Sequence, residues 1–214
     1  MVIKPILFNT EMVRAILDRR KDATRRIVKG FIPDDAVWGY TAFTPKGYIS
    51  CRGTFADGYG EKFFKLPCEP GDILYVRETW SEWTDGYLYK AWNSPFPQAG
   101  QSFVMRWHPS IHMPKEAARI WLKVTDVRVE RIKDMTDNDA LKEGAEGVRC
   151  DHAGLGAYGC TDCMNTGWLE PPLLEFMGIW NSTIKKSDLD RYGWYANPWV
   201  WVIEFERCEK PEGV

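Results

Sequence analysis

Two periods of apolar residues divide this 214-residue chain into elements. Ile3 to Phe8 is a short apolar run of strand formers, with Pro5 pointing to a strand start or a sheet edge. Met12, Val13, Ile16 and Leu17 then fall at helical spacing behind Thr10, which reads as the N-cap, with Glu11 in the first turn. That helix is expected to end between Arg19 and Asp22, placing Lys21 and Thr24 at its C-terminal edge, and Arg25 to Val28 would start a second strand. Residues 30 to 65 are rich in aromatics and glycine, and the turn signals Pro45-Lys46-Gly47 and Ala56-Asp57-Gly58 predict hairpins. Pro70-Gly71-Asp72 is a turn feeding a strand from Ile73 to Glu78, and Tyr87–Trp92 and Ser102–Trp107 read as strands around a proline-bearing loop.

The strongest strand pattern is Ala118 to Arg131. Ile120, Leu122, Val124, Val127, Val129 and Ile132 nearly alternate, with one slip at Thr125-Asp126 that fits a bulge. Thr136 to Gly144 predicts a short helix with Thr136 as cap and Gly144 as stop, and Pro171 to Ser182 predicts an amphipathic one. Trp199 to Phe205 is a late strand introduced by Asn197-Pro198. Many strands with a few short helices predict the α+β class, as a small mixed-sheet barrel carrying insertions.

Composition narrows the function classes. The 28 basic and 30 acidic residues nearly balance, so any nucleic-acid contact has to be a local patch. Eleven Trp residues suit a large core, and also stacking on bases. No apolar run reaches the length of a membrane span, and the first residues form no signal region, which predicts a cytoplasmic protein without membrane contact. The six cysteines then read as thiols or metal ligands, with Cys51, Cys68 and Cys208 as packing residues. Cys150, His152, Cys160 and Cys163 have the composition of a tetrahedral Cys3His structural zinc set, in which Cys160 and Cys163 form a C-x-x-C; free thiols in a flexible loop are the competing reading. His108 and His112 are separated by prolines that prevent a shared helical face, so they are not taken as ligands.

The chemistry-bearing stretch is Asp18-Arg19-Arg20-Lys21-Asp22-Ala23-Thr24-Arg25-Arg26. A neutral lysine near a threonine hydroxyl can take its proton as the oxygen attacks, and arginine forks suit phosphate or carboxylate. The same residues also suit a solvated basic helix terminus favoured by the helix dipole.

This stretch resembles the opening of ASCH-domain proteins, whose usual motif is Gly-x-Lys-Thr-x-Thr-x-Arg. Later blocks agree in order: Gly71-Asp72 with the strand behind it, Ile120 to Val129, Met135-Thr136 through Ala140 to Glu143-Gly144, and Val200 to Phe205. The match covers about half the chain as blocks. Residues 30–65, 81–117 and 146–197 would be insertions in a single domain, a long form similar to prophage-encoded ASCH proteins. Arg19-Arg20 stands where the motif has glycine, and Asp22 where threonine is common. The resemblance implies a PUA-like barrel with flanking short helices. It also implies an amidohydrolase acting on an acylated nucleoside such as N4-acetylcytidine, with no organic cofactor. Lys21, Thr24 and Glu143 would be catalytic, and Arg25, Arg26 and Glu78 would bind substrate, Arg25 by contact with phosphate. Glu78 is also read as a rival acid or as an ion-pair partner for Arg77 or Arg26. The alternatives are a non-catalytic binder of RNA or a modified nucleic acid, and a protein-interaction module of phage origin.

Overall fold

A computed structural model describes residues 1–83, 86–91, 106–151, 160–164 and 166–213. In chain order the first half holds β1 (Ile3–Leu7), α1 (Thr10–Leu17), β2 (Ala23–Ile27), β3 (Val37–Gly39), β4 (Tyr48–Phe55), β5 (Gly58–Lys65) and β6 (Ile73–Arg77). After these come β7 (Trp80–Trp83), β8 (Gly86–Tyr89), β9 (Trp121–Arg131) and α2 (Asp137–Lys142). The chain continues with β10 (Val148–Arg149), β11 (Trp168–Glu170), α3 (Pro172–Thr183) and β12 (Trp199–Cys208). The expected strand at Ser102–Trp107 falls largely outside the described residues. The class is α+β: the described strands form sheets ordered β1-β6-β9-β12-β2, β3-β4-β5, β10-β11 and β7-β8.

The chain divides into two compact units, and β9 and β12 each contribute residues to both. The first unit comprises Met1–Asp22, Cys68–Asp126 and Glu204–Val214. Here β1 runs parallel to β6, from Ile3 opposite Ile73 to Leu7 opposite Arg77, and β6 pairs antiparallel with β9. β1 lies at the sheet edge, where the missing N–H of Pro5 is tolerated. Ile73, Trp80, Met113, Ala117, Ala118 and Trp121 form one buried cluster of this unit.

α1 buries Val13, Ala15 and Ile16, and its cap is Asn9 rather than Thr10: the Asn9 Oδ1 accepts from the Met12 N–H at 2.8 Å. The helix also stops earlier than its sequence suggests, at Leu17, because Arg19 turns into the left-handed region with φ 60°. Lys21 and Thr24 therefore lie beyond the helix, and Thr24 is a strand residue of β2.

The second unit comprises Ala23–Pro67 and Val127–Ile203. Its core gathers Ile132, Met135, Ala140, Phe176, Trp180, Trp194, Val200 and Val202. Residues 30–65 form the predicted hairpins, with β4 paired to β3 and to β5 throughout and Gly47 and Gly58 supplying the positive φ of the turns. Trp38 on β3 meets Phe64, Trp199 and Trp201 edge-on at 5.1, 5.8 and 6.2 Å between ring centroids. α2 carries the predicted cap as a full capping box: Thr136 and Asp139 bond each other's backbone N–H. The buried positions of β9 change parity from Leu122 and Val124 to Val127, across the residues where one unit gives way to the other.

Candidate functional site

Lys21 sits at the end of the α1 turn. Its backbone N–H and that of Arg20 both donate to the Ala15 carbonyl, at 3.1 and 2.8 Å, which closes the helix end around the left-handed Arg19. Glycine is the favoured residue at such a position. Lys21 is 3 % exposed, with its Nζ 5.6 Å from the centroid of the Phe8 ring. In the same unit a cavity of about 600 Å³ is lined by Ile16, Arg19, Lys21, Asp22, Phe205 and Arg207 among others. That volume suits a nucleoside-sized molecule.

Thr24, Arg25, Arg26 and Glu143 all belong to the second unit. Thr24 is 2 % exposed. Arg25 points inward: its Nη1 lies 3.4 Å from Glu143 Oε1, and its Nη2 lies 3.5 Å from Glu130 and 3.8 Å from Asp139. Its side chain is only 1 % exposed, so the expected contact with a phosphate backbone is replaced by a contact with three carboxylates. Burial lowers the pKa of Arg26, and the charge of Glu143 offsets part of that. Burial alone would raise the Asp139 carboxyl, but hydrogen bonds from the Thr136 hydroxyl and N–H, together with Arg25 and Lys142, hold it below the ordinary carboxylate value. Glu130 and Asp139 are members of this cluster that the sequence does not single out.

Glu78, 1 % exposed in the first unit, is held by an arginine. Both of its carboxylate oxygens accept from Arg119, from Nε at 2.8 Å and from Nη2 at 3.0 Å. Neither Arg77 nor Arg26 is the arginine of this fork. Arg77 turns instead to the carbonyls of Ile111 and Met113. Arg119 in turn stacks on Tyr89, 4.2 Å from the ring centroid.

The cysteine expectation is met in its coarser form. The Sγ atoms of Cys150, Cys160 and Cys163 all lie within 4.8 Å of one another, a grouping that could hold a metal ion. The β10–β11 hairpin carries it: the Cys150 N–H donates to the Gly167 carbonyl at 3.1 Å, and the Thr166 N–H to the Cys163 carbonyl at 2.9 Å. Met164 takes φ 47° and Gly167 φ 83°, which fold the chain back from the thiols into β11. Desolvation, reinforced by the thiols of Cys160 and Cys163, pushes the Cys150 thiol up to about 12. A bound cation reverses that preference, since metal ligation needs the thiolate. His152 lies outside the described residues. Cys51 and Cys68 are packed in the interior, and burial pushes both thiols up to about 11.

Among the described residues no helix is long and apolar enough to cross a membrane. Compared with known protein families, curated proteins and solved structures, the chain matches none.

Proposed function

We propose that this chain is an amidohydrolase acting on an acylated nucleoside such as N4-acetylcytidine, releasing cytidine and acetate. The observation that carries the reading is burial: Lys21, Thr24 and Glu143 are 3 %, 2 % and 7 % exposed. Keeping a lysine and a carboxylate out of water costs several kcal/mol per ion, roughly, unless well compensated, and apolar residues would fill the same space more cheaply. Groups kept in spite of that cost are candidates for chemistry. The resemblance to ASCH-domain proteins, with their PUA-like barrel, supplies the reaction class.

In this reading the Thr24 Oγ attacks the acetyl carbonyl carbon. Its proton passes to the Lys21 amine and then to the N4 nitrogen as the C–N bond breaks and cytidine leaves. Water then attacks the Thr24 ester, acetate leaves, and the hydroxyl is restored. Loss of hydration favours the uncharged form of an amine, the form that accepts a proton. Glu143 orients the lysine or the base edge, Arg25 holds Glu143, and Arg26 offers charge to the oxyanion. Glu78 has no chemical step, since Arg119 takes both of its oxygens. Recognition of RNA without turnover is the second reading. It is favoured by Arg19, which stays exposed two residues from the buried Lys21, as a phosphate contact requires.

Chromatography of N4-acetylcytidine after incubation tests the reading. Cytidine should appear with the parent chain and almost none with Thr24→Ala. Lys21→Arg should fail nearly as badly as Lys21→Ala, because a guanidinium does not act as a base in this range. No cytidine from the parent chain between neutral and mildly alkaline pH removes this substrate.

The thiol cluster is read as a structural zinc site of a cytoplasmic protein, with His152 as fourth ligand. A tetrahedral zinc with bonds of about 2.3 Å holds its sulfurs about 3.8 Å apart. Cys150 and Cys160 are already 3.6 Å apart, far longer than a disulfide. Elemental analysis of protein made without a metal-affinity tag should find about one zinc per chain, lost in Cys160→Ser. Metal-free protein with an intact fold contradicts the assignment.

A further inference from the structure

The three-stranded sheet β3-β4-β5 has two unlike faces. Its register sets Trp38, Ile49, Cys51, Phe55 and Phe64 on one of them, where the rings pack in the second unit. The other face holds Val37, Arg52, Tyr59, Glu61, Phe63 and Lys65. Strand alternation alone forces this division. The second face is open at Val37, 53 % exposed, and Tyr59, 75 %, and partly open at Phe63, 39 %, while Ser50 on the same face is buried.

Charge says what such a face would accept. Arg52 and Lys65 are exposed, and among the described residues neither has an ion-pair partner. Glu61, the acid opposite Arg52, accepts a hydrogen bond from the Ser50 hydroxyl on the same face rather than pairing with Arg52. The face thus presents two exposed rings, set four residues apart on β5, and two cations that form no ion pair among the described residues. Stacking platforms interleaved with cations suit bases joined by phosphates. An acidic peptide would use the cations and leave the rings idle. A proline-rich peptide would use the rings and leave the cations idle.

We infer that this face of β3-β4-β5 binds single-stranded polynucleotide, with Tyr59 and Phe63 stacking on bases and Arg52 and Lys65 meeting phosphates. The inference goes beyond the hydrolase reading and does not depend on it, because it concerns contacts that need no turnover.

Fluorescence anisotropy with labelled single-stranded RNA and DNA 12-mers, and with a duplex of the same sequence, tests it. The full chain and its Thr24→Ala form are both used, so that failure of hydrolysis leaves the binding result standing. Single strands should bind more tightly than the duplex. Tyr59→Ala and Phe63→Ala should each weaken binding roughly ten-fold, while Tyr59→Phe, which keeps the ring, should bind as the parent does. Arg52→Gln and Lys65→Gln should each flatten the slope of log affinity against log salt by about 0.7. RNA-only binding would assign 2′-hydroxyl contacts, and equal binding of both single strands would assign stacking alone; either supports the face. No binding of single strands at low salt overturns the inference. So does an affinity unchanged by Tyr59→Ala and Phe63→Ala together, or a duplex bound as tightly as the single strands.

Discussion

Glu78 in the first unit and Glu143 in the second are both nearly buried carboxylates with an arginine against them, and they differ in how that arginine is used. Arg119 gives its Nε and Nη2 to Glu78 in two short bonds. In Arg25 the same two nitrogens are buried without a hydrogen-bond partner among the described residues, and only Nη1 reaches Glu143, at 3.4 Å. Arg25 is held instead by the summed charge of Glu143, Glu130 and Asp139. A bidentate fork fixes geometry as well as charge, so the Glu78 pair reads as a clamp. An arginine held by charge, with two nitrogens unanswered, can shift when a substrate group or a proton arrives. Burial alone does not separate these two sites. The direction and length of the bonds do.

The comparison can be broken most sharply at the arginines. Arg25→Ala leaves three carboxylates facing one another with Glu143 buried, and should cost about 3–5 kcal/mol. Glu78→Ala leaves Arg119, whose side chain is 23 % exposed and can turn to water, so its cost should be nearer ~1–3 kcal/mol. Denaturant midpoints of the two variants check the order. Equal costs would mean that the second cluster is as rigid a clamp as the first.

A smaller effect sharpens the same comparison without touching a carboxylate. Arg19→Gly relieves a left-handed residue at the end of α1 and should stabilise the chain by about 1 kcal/mol, read as a higher thermal midpoint. A lower midpoint would show that the Arg19 side chain, and not its backbone, matters at that turn.

Why some of this was legible and some was not follows from the residues. α2 could be read from Thr136 and Gly144 because helix start and stop signals are local, and β12 from its apolar run because strand formers dominate it. β2 could be read as a strand, expected from Arg25 and found from Ala23, but the way it faces could not. Thr24, Arg25 and Arg26 are all polar, so no hydrophobic period reveals that Arg25 faces inward; only the folded acids Glu130, Asp139 and Glu143 do. The partner of Glu78 lies 41 residues away, a separation at which sequence shows charge but not distance. The stretches 30–65 and 146–197 read as insertions, yet they supply most of the second unit. The hairpin pairing inside 30–65 is local and follows its turns, but the contacts that join the stretch to the rest of the unit, such as Trp38 with Trp199 and Trp201, are long-range, and spacing along the chain does not encode them. The thiol grouping was legible because C-x-x-C is itself a short-range constraint, here met with Cys150 alongside.

The most direct test of the central claim sets Glu143→Gln against Glu78→Gln, measuring kcat/KM on N4-acetylcytidine and the thermal midpoint of each. Glutamine keeps the size of the side chain and removes its charge. In the second unit Glu130 and Asp139 still answer Arg25 after the change. The account predicts that Glu143→Gln lowers kcat/KM by about 100-fold with a midpoint near the parent's, the range expected when the group that orients the reacting partners is lost. Glu78→Gln should lower the midpoint and leave kcat/KM of the folded protein within about two-fold, because its clamp touches no reacting atom in this reading. Turnover that survives Glu143→Gln and is abolished by Glu78→Gln at an intact fold would contradict the account and move the site to the first unit.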